Sequence, residues 1–143
     1  MEAFDTESLL DENTHAGSGW IAKADTIHER YLLACQVARL EGEVGIYAGG
    51  GIGSEDVWSS VEFYSTTRDT WRAIGPMGES RKAFAMSFLG QQVIVTGGGT
   101  SGIGVKASVE WFNGTNWIPW SNLIEARIDH VAVSVPAGHI ICQ

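Results

Sequence analysis

At three places in this chain of 143 residues, 51 and 46 residues apart, a tryptophan is followed ten residues later by an arginine. In chain order, the pairs are Trp20 and Arg30, Trp71 and Arg81, and Trp117 and Arg127. Self-similarity at a fixed interval is the sequence signature of repeat architectures, and it restricts the fold more than composition does. The chain is therefore predicted to consist of similar structural units that follow one another.

Two further features recur about 48 residues apart, close to the distance between successive Trp–Arg pairs. A four-residue segment with glutamate in second place occurs three times, as MEAF (1–4), VEFY (61–64) and VEWF (109–112). The glutamates Glu62 and Glu110 lie 48 residues apart. A glycine run closes an apolar segment twice, at 45–51 and at 93–99. Aligned at the same interval, the matching glycines are Gly49 with Gly97 and Gly50 with Gly98.

Within one unit, the pattern predicts four short strands and no helix. After Arg81 come two apolar runs, KAFAMSF and VIVT, then the glycines, a polar loop, the segment SVEWF, an Asn-Gly turn and the next Trp. Short strand-like runs separated by Gly and Asn turns, without a helical period, are typical of all-β proteins. The Asn-Gly sequence at 113–114 also predicts a type I′ hairpin turn.

The predicted strands are apolar on both faces, since VIVT and VAVSV lack a clean alternation of polar and apolar residues. Such strands are covered on both sides. A four-stranded antiparallel sheet that is covered on both sides and repeated at this interval is predicted to be one blade of a β-propeller. We expect the Trp of each unit to fill the space between neighbouring blades. We expect the Arg to bind nearby carbonyls or the Glu of the repeated segment.

The predicted blades divide the chain into four parts. Residues 1–29 end one blade and include an inserted acidic loop, residues 30–80 and 81–126 form two blades, and residues 127–143 supply the first two strands of a further blade. This amounts to three blades' worth of strands, whereas propellers close with about four to eight blades. The missing blades are expected to come from a longer chain of which this is a fragment, or from a second copy in a homodimer.

These repeats resemble the kelch family. In that family an Arg precedes two short strands that end in a glycine pair, and a variable loop then leads to a Val-Glu-x-Tyr strand and a Trp-x5-Met segment. The segments SRKAFAMSFLGQQVIVTGG (80–98) and SVEFYSTTRDTWRAIGPM (60–77) match this pattern. Thr26 and Leu123 depart from it, because they stand where the second unit has Met77. The resemblance implies an all-β fold, a fragment of a kelch-type β-propeller.

Composition argues against several classes of ligand and location. The formal net charge is −8, and no cluster of basic residues is present, so nucleic acid and anionic membranes are disfavoured as partners. No apolar run approaches the roughly 18 residues of a membrane helix, and the N-terminus lacks the pattern of a signal peptide. Cys35 and Cys142 lie in apolar stretches and are predicted to be buried thiols. An intracellular, cytoplasmic location is therefore expected.

No residue pattern indicates catalysis, a metal or a cofactor. The segment VTGGGTSGIG (95–104) satisfies G-x-G-x-x-G, but a dinucleotide site requires a helix next, and an Asn-Gly turn stands there instead. Nucleotide binding at the loop from Gly97 to Gly104 is therefore a remote alternative. The four histidines lack the spacing of metal ligands, and no Ser/His/Asp set stands out.

The resemblance also implies where a partner binds. In kelch proteins the binding residues follow the glycine pair and the Arg, which places them here in the loops 51–60 and 99–108 and just after each Arg. The residues carried over are Tyr31, Ser54, Glu55, Asp56, Trp58, Lys82, Thr100, Ser101, Lys106 and Asp129. Trp58 has two interpretations, as an anchor for a partner or as a side chain packed on its own blade.

The expected function is that of a non-catalytic module that binds a peptide or protein partner through the loops of one propeller face. Many kelch domains are substrate receptors of cullin-type ubiquitin ligases and carry a BTB domain, and the resemblance implies this role as one option. The alternative implied by the same family is an enzyme, either a radical-copper oxidase or a sugar epimerase. Stoichiometric copper in the purified protein would favour the oxidase.

Overall fold

The computed structural model describes residues 2–4, 20–54 and 56–135, and these residues contain ten β-strands and no helix. The strands are β1 (Glu2–Phe4), β2 (Trp20–Ala22), β3 (Ala34–Leu40), β4 (Glu43–Gly49), β5 (Val61–Ser65), β6 (Thr70–Ile74), β7 (Ala85–Leu89), β8 (Gln92–Thr96), β9 (Val109–Phe112) and β10 (Trp117–Trp120). The described part of the chain thus has no helix of the length and apolarity needed to cross a membrane. The prediction of an all-β chain is confirmed.

The strands form three antiparallel sheets in which neighbours in the chain pair with each other. Sheet 1 consists of β1 and β2, sheet 2 has the order β3-β4-β5-β6, and sheet 3 has the order β10-β9-β8-β7. Sheets 2 and 3 are meanders, because every strand pairs with the next one along the chain. They are the four-stranded antiparallel sheets predicted from the repeated pattern.

One pairing register is common to all three sheets. The Glu of the repeated segment lies opposite the residue two positions after the Trp, and the residue two positions after the Glu lies opposite the Trp. The pairs are Glu2–Ala22 and Phe4–Trp20 in sheet 1, Glu62–Ala73 and Tyr64–Trp71 in sheet 2, and Glu110–Pro119 and Phe112–Trp117 in sheet 3. Because side chains alternate along a strand, a shared register places equivalent positions on the same face of each sheet.

Aromatic side chains fill the space between sheets 2 and 3. The ring of Tyr47 on β4 meets Phe63 on β5 at a centroid distance of 5.2 Å and Phe112 on β9 at 6.0 Å. Phe112 also packs against Trp117, with the ring centroids 5.1 Å apart. All four side chains are buried. Rings of this kind bury about 150–250 Å² each, so the cluster is a major source of apolar stabilisation between the two sheets.

The two glycine runs align one residue away from the predicted alignment. Gly50 and Gly97 have left-handed backbones, with φ of 60° and 61°, and each donates a hydrogen bond to the carbonyl of a later serine. Gly51 and Gly98 follow with φ of 87° and 98°. The pair in the first run is therefore Gly50 with Gly51, and Gly49 is the last residue of β4. Three successive glycines left the alignment ambiguous in the sequence, and the requirement for positive φ decides it.

The strand predicted at 131–135 is not formed. No strand is assigned between residues 121 and 135. A strand needs a neighbour to satisfy its backbone donors and acceptors, and none of the described strands pairs with this segment. Residues 136–143, which include the predicted second strand and Cys142, lie outside the described part of the chain.

Two local predictions are also wrong. Cys35 is exposed rather than buried, because exposure alternates along β3 and its neighbour Ala34 is the residue that faces inward. The turn after β9 has four residues, 113–116, and among them only Gly114 has a positive φ, at 101°. A type I′ turn needs two such residues. The side chain of Asn113 shapes this turn instead, by accepting hydrogen bonds from two later backbone N–H groups at 2.9 and 2.8 Å.

His130 occupies the place that Phe84 occupies one unit earlier. Each follows its Arg by three residues, and a Cβ added to Gly97 or Gly50 would lie 2.9 Å from the His130 ring or 2.5 Å from the Phe84 ring. His130 Nε2 is 2.9 Å from the hydroxyl oxygen of Thr96. Burial, and to a lesser degree the charge of Arg127, lowers the pKa of His130 below its ordinary value of 6.5.

A lowered pKa in the folded state means that the unfolded chain binds more protons as the pH falls. The stability associated with neutral His130 is therefore present above about pH 6.5 and is lost below it. We expect the free energy of unfolding in urea to fall less between about pH 8 and about pH 5.5 in His130→Phe than in the wild type. Phenylalanine does not titrate, and Phe84 occupies the equivalent place one unit earlier. An equal fall in both proteins would show that His130 is not the titrating group.

Candidate functional site

Three connectors follow the last strands of the three sheets. Connector 1 (residues 23–33) runs from β2 to β3, connector 2 (residues 75–84) runs from β6 to β7, and connector 3 (residues 121–130) follows β10. Each connector ends shortly after one of the repeated arginines. In the structure we count each connector with the sheet that precedes it as one unit. Connectors 1 and 2 each meet the sheet of the next unit at a cluster of hydrogen bonds that we call a joint.

The first joint holds Arg30 of connector 1 against Glu62 of β5. The guanidinium contacts Glu62 Oε1, and its Nη1 donates to the carbonyls of Gly50 and Ser60, each at 3.0 Å. The backbone N–H of Ile27 donates to Glu62 Oε2 at 2.8 Å. Both charged side chains are 1% exposed. Their burial is tolerated because each charge neutralises the other and is hydrogen-bonded.

The second joint repeats this arrangement one unit later. Arg81, which is 0% exposed, donates to Glu110 Oε1 at 2.9 Å. It also donates to the carbonyls of Gly97 and Ser108, at 2.7 and 2.9 Å. The backbone N–H of Gly78 donates to Glu110 Oε2 at 2.6 Å. Equivalent atoms make equivalent bonds in both places, so the joint is a property of the repeat.

The repeated tryptophans complete each joint. Trp71 Nε1 donates to the carbonyl of Ala24 at 2.9 Å, and Trp117 Nε1 donates to the carbonyl of Gly75 at 2.8 Å. In both cases the acceptor lies four residues after the Trp of the preceding unit. The expected bond from Arg to the repeated Glu is present for Arg30 and Arg81, whereas Arg127 has no such bond among the described residues. Trp71 and Trp117 contact the preceding unit, as expected. These residues link one unit to the next.

The connections between strands lie at two opposite ends of the sheets, as they must in a meander of antiparallel strands. Short turns lie at one end, at 41–42, 66–69, 90–91 and 113–116. The longer loops 50–60 and 97–108 and the connectors lie at the other end, which we call the loop end. The joints fix the base of these loops. Loops held by a rigid scaffold are the usual place for binding residues.

A cleft of about 620 Å³ opens at the loop end, and we call it the loop-end cleft. Its walls come from residues 27–31 of connector 1, from residues 52–54 and from Trp58. A second cavity of about 360 Å³ shares His28 and Trp58 with it and extends to Ser80. Both volumes lie within the range of about 300–1,000 Å³ that is common for ligand pockets in proteins.

Trp58 packs against connector 1 and against its own loop, and it forms a wall of this cleft. The guanidinium of Arg30 lies 5.1 Å from the centroid of the indole ring, and His28 meets the ring edge to face at 5.3 Å. The indole also covers Gly53, where an added Cβ would lie 1.8 Å from it. Trp58 is therefore held in place by contacts within the chain, to connector 1 and to its own loop, and the same ring lines the cleft.

Three of the residues predicted to bind a partner line the cleft together, namely Tyr31, Ser54 and Trp58. Tyr31 is 59% exposed, and its backbone exchanges two hydrogen bonds with Ile52, at 3.1 and 2.8 Å. A fixed main chain thus holds an exposed ring at the rim of the cleft. Glu55, which was predicted with them, lies outside the described residues.

The two loops predicted to bind a partner contact each other. The hydroxyl of Ser101 donates to Asp56 Oδ1 at 3.0 Å, and the same oxygen accepts from the N–H of Val57 at 2.7 Å. The hydroxyl of Thr100 donates to the carbonyl of Ser101 at 3.1 Å, and its N–H donates to the carbonyl of Gly104 at 3.0 Å. Asp56, Thr100 and Ser101 therefore shape the loops and do not line the loop-end cleft.

The two lysines predicted to bind a partner are held by neighbours. The Lys106 ammonium lies 3.2 Å from the carboxylate of Glu79. A hydrogen bond of 2.5 Å from the Ser108 hydroxyl is the main cause of a lowered pKa at Glu79, and the lysine adds to it. Lys82 pairs through its backbone with Gly99, at 3.0 and 2.8 Å. Neither lysine lines the loop-end cleft.

Asp129 follows its Arg by two positions, whereas Tyr31 follows its Arg by one. Its φ is 55°, close to the values of 54° at Leu32 and 47° at Ala83, and each of these residues follows its Arg by two positions. The N–H of Asp129 donates to the carbonyl of Ala83, and the N–H of Ala83 donates to the carbonyl of Leu32, both at 2.9 Å. The residue equivalent to Tyr31 is Ile128. Asp129 belongs to a series of backbone bonds that links successive units.

His28 lines both cavities, although the sequence did not single it out. Its Nδ1 lies 3.1 Å from Glu62 Oε1. The residue at the same position of the next unit is Glu79, which contacts Arg81 at 3.1 Å. A comparison of the Trp-to-Arg segments position by position would have found His28, because an imidazole there replaces a carboxylate.

The glycine-rich segment 95–104 is not followed by a helix. Residues 105–108 lead directly to β9. A dinucleotide site places the pyrophosphate at a helix N-terminus, so the remote alternative of nucleotide binding lacks the element that it requires. Among the described side chains, no group of three or more His, Cys, Asp or Glu could hold a metal ion.

The structural features that bear on function are therefore the repeated joints and the loop-end cleft above them. No protein-family model matches the chain, and no match was found among curated proteins.

Proposed function

We propose that this chain is part of a kelch-type β-propeller and that it binds a peptide or protein partner through the loop-end cleft. The observation that carries the proposal is the cleft of about 620 Å³ with an exposed Tyr31 at its rim and a buried joint beneath it. A rigid base beneath an exposed, partly aromatic opening suits a module that binds without catalysis.

The repetition of the joints supports a propeller. The first and second joints relate one unit to the next through the same Arg, Glu and Trp contacts. Units joined by one repeated contact are related by one repeated rotation. Four-stranded meanders repeated in this way curve into a ring whose loops gather at one face.

The walls of the loop-end cleft favour a peptide over a small ionic ligand. Ile52 and the rings of Tyr31 and Trp58 supply apolar surface. The one arginine in the cleft, Arg30, already binds Glu62, so its charge is not available to an anionic ligand. Aromatic side chains are enriched where proteins bind one another. A segment with an apolar anchor residue is therefore the expected ligand.

The variant Tyr31→Ala tests the proposal. Peptide ligands are selected for the wild type from a random phage library, and the affinity of a selected peptide is measured by isothermal titration calorimetry. We expect binding to weaken by at least about tenfold, as loss of an aromatic anchor does, and stability to change by no more than about 0.5 kcal/mol. Leu89→Ala, which removes an exposed apolar side chain at the opposite end, should bind like the wild type.

Two results would contradict the proposal. One is a Tyr31→Ala protein that binds the selected peptide as tightly as the wild type. The other is a library that yields no peptide for the folded wild-type protein. Within the proposal the chain is non-catalytic and intracellular, and a substrate receptor of a cullin-type ligase is one role that it could serve. Copper content distinguishes it from a kelch-type oxidase.

A further inference from the structure

In each joint, we call the connector positions that contact the Glu and Trp of the next sheet the receiving side, and we call that Glu and Trp the inserting side. Connector 3 has a receiving side. In the other joints, the positions that contact the Glu and the Trp lie four, seven and ten residues after the preceding Trp. In connector 3 these positions are Ser121, Ile124 and Arg127. Arg127 is exposed, whereas Arg30 and Arg81 are buried in their joints. Within the described residues, no carboxylate or indole contacts this third set.

The surface beside it is apolar and exposed. Ile124 is 102% exposed, and Val131 and Val133 are 88% and 80% exposed. The residues that stand at the same distances from Arg81 as the two valines do from Arg127 are Ala85 and Ser87, and both are buried. Several large apolar side chains that are exposed in one short segment favour an interaction site there.

Sheet 1 has the backbone geometry of the inserting side. In the two joints, the inserting groups come from a hairpin in which Glu lies opposite the residue two positions after Trp. The hairpin of β1 and β2 has this register, with Glu2 opposite Ala22 and Phe4 opposite Trp20. It therefore places a glutamate and a tryptophan at the positions that the other two hairpins use.

The requirements of the third set select sheet 1 among the described strands. An occupant must supply a carboxylate to Arg127 and an indole N–H to the carbonyl of Ser121 from neighbouring strands. Three described hairpins have the register that does this, and two of them already occupy the first and second joints. The charges of the two pairing residues also match, because Glu2 is acidic and the exposed Arg127 is basic.

We propose that connector 3 of one copy of the chain binds sheet 1 of a second copy, which forms a third joint between molecules. In this joint Glu2 of the second copy accepts hydrogen bonds from the Arg127 guanidinium and the Ile124 N–H. Trp20 of the second copy donates to the Ser121 carbonyl. The exposed apolar side chains beside Arg127 become covered by the second copy. This interface involves no residue of the loop-end cleft, so it stands independently of the proposed function.

Sedimentation equilibrium of the 143-residue protein over a series of concentrations tests the proposal. We expect the wild type to associate beyond its 15.4 kDa monomer. Arg127→Glu and Glu2→Arg should each weaken the association by at least about tenfold, because each sets like charges against each other. An equal mixture of the two variants should associate like the wild type, since each variant supplies the charge that the other lost. Arg68→Glu makes the same charge change in an exposed turn at the opposite end and should have no effect.

Three outcomes would overturn the proposal. They are a wild type that stays at 15.4 kDa at every concentration, an association that neither charge variant weakens, and a mixture that stays as dissociated as its components. A wild type that remains monomeric would point to an occupant other than a second copy. Circular dichroism shows whether each variant is folded, and Arg127→Gln serves as a milder variant if the charge reversal prevents folding.

Discussion

Replacing Arg81 with methionine should destabilise the protein by about 3–5 kcal/mol, since the removal of one partner from a buried ion pair leaves an uncompensated charge. Glu110 would stay buried with only the Gly78 N–H as a donor, and the carbonyls of Gly97 and Ser108 would each lose one. The free energy of unfolding in urea measures this loss. Arg81→Lys keeps the charge but lacks the planar fork of donors, so we expect a smaller loss of stability.

Arg72→Met is the matched control for this prediction. Arg72 also pairs with a glutamate at 2.9 Å, but its partner Glu41 is exposed. Exposed pairs contribute about 0–1 kcal/mol, so this variant should be close to the wild type. If Arg81→Met loses no more stability than Arg72→Met, the joint does not stabilise the fold. The Arg would then be better interpreted as part of a ligand site.

Trp117→Ala should also cost about 3–5 kcal/mol, as large buried aromatic residues do. The indole is buried, packs against Phe112 and donates to the carbonyl of Gly75 in the preceding unit. Truncation would leave a cavity at the contact between two units. The equivalent Trp71 is only half-buried, so Trp71→Ala should cost less. Urea denaturation of both variants checks the order as well as the size of the effects.

Tyr31→Ala is the control for the two tryptophan variants, because it removes an aromatic ring that is mostly exposed. Its stability should match that of the wild type within about 0.5 kcal/mol. A Trp117→Ala protein as stable as Tyr31→Ala would contradict the assignment of Trp117 to the contact between units. The two measurements thus separate burial of an aromatic ring from the mere presence of one.

The pairing of Arg with Glu in the joints could be predicted from the sequence, because both residue types and their spacing recur. A buried guanidinium needs an acidic partner, and the only acids that recur with Arg30 and Arg81 are Glu62 and Glu110. The acceptors of the indole N–H groups were not predicted. They are the carbonyls of Ala24 and Gly75, and a backbone carbonyl leaves no mark on the sequence.

The candidate site was less predictable than the fold. The resemblance identified Tyr31 and Trp58 as site residues. The pairing of Lys106 with Glu79 was not predicted. That pairing depends on how loop 99–108 lies against connector 2, which local patterns do not determine. The one-residue error in the glycine alignment had a different origin. Three identical residues in a row carry no information about which of them adopts a positive φ.

Each complete unit contains both halves of a joint, the receiving half on its connector and the inserting half on its outer hairpin. Connector 2 and the β5–β6 hairpin show this within a single unit. If a gene segment that encodes one such unit is duplicated or deleted, every remaining connector still meets a hairpin with the matching Glu and Trp. Growth or shrinkage of the array would then require no new contact chemistry, only a small change in the angle between neighbours. The interchangeability of its joints makes the fold tolerant of changes in its own length.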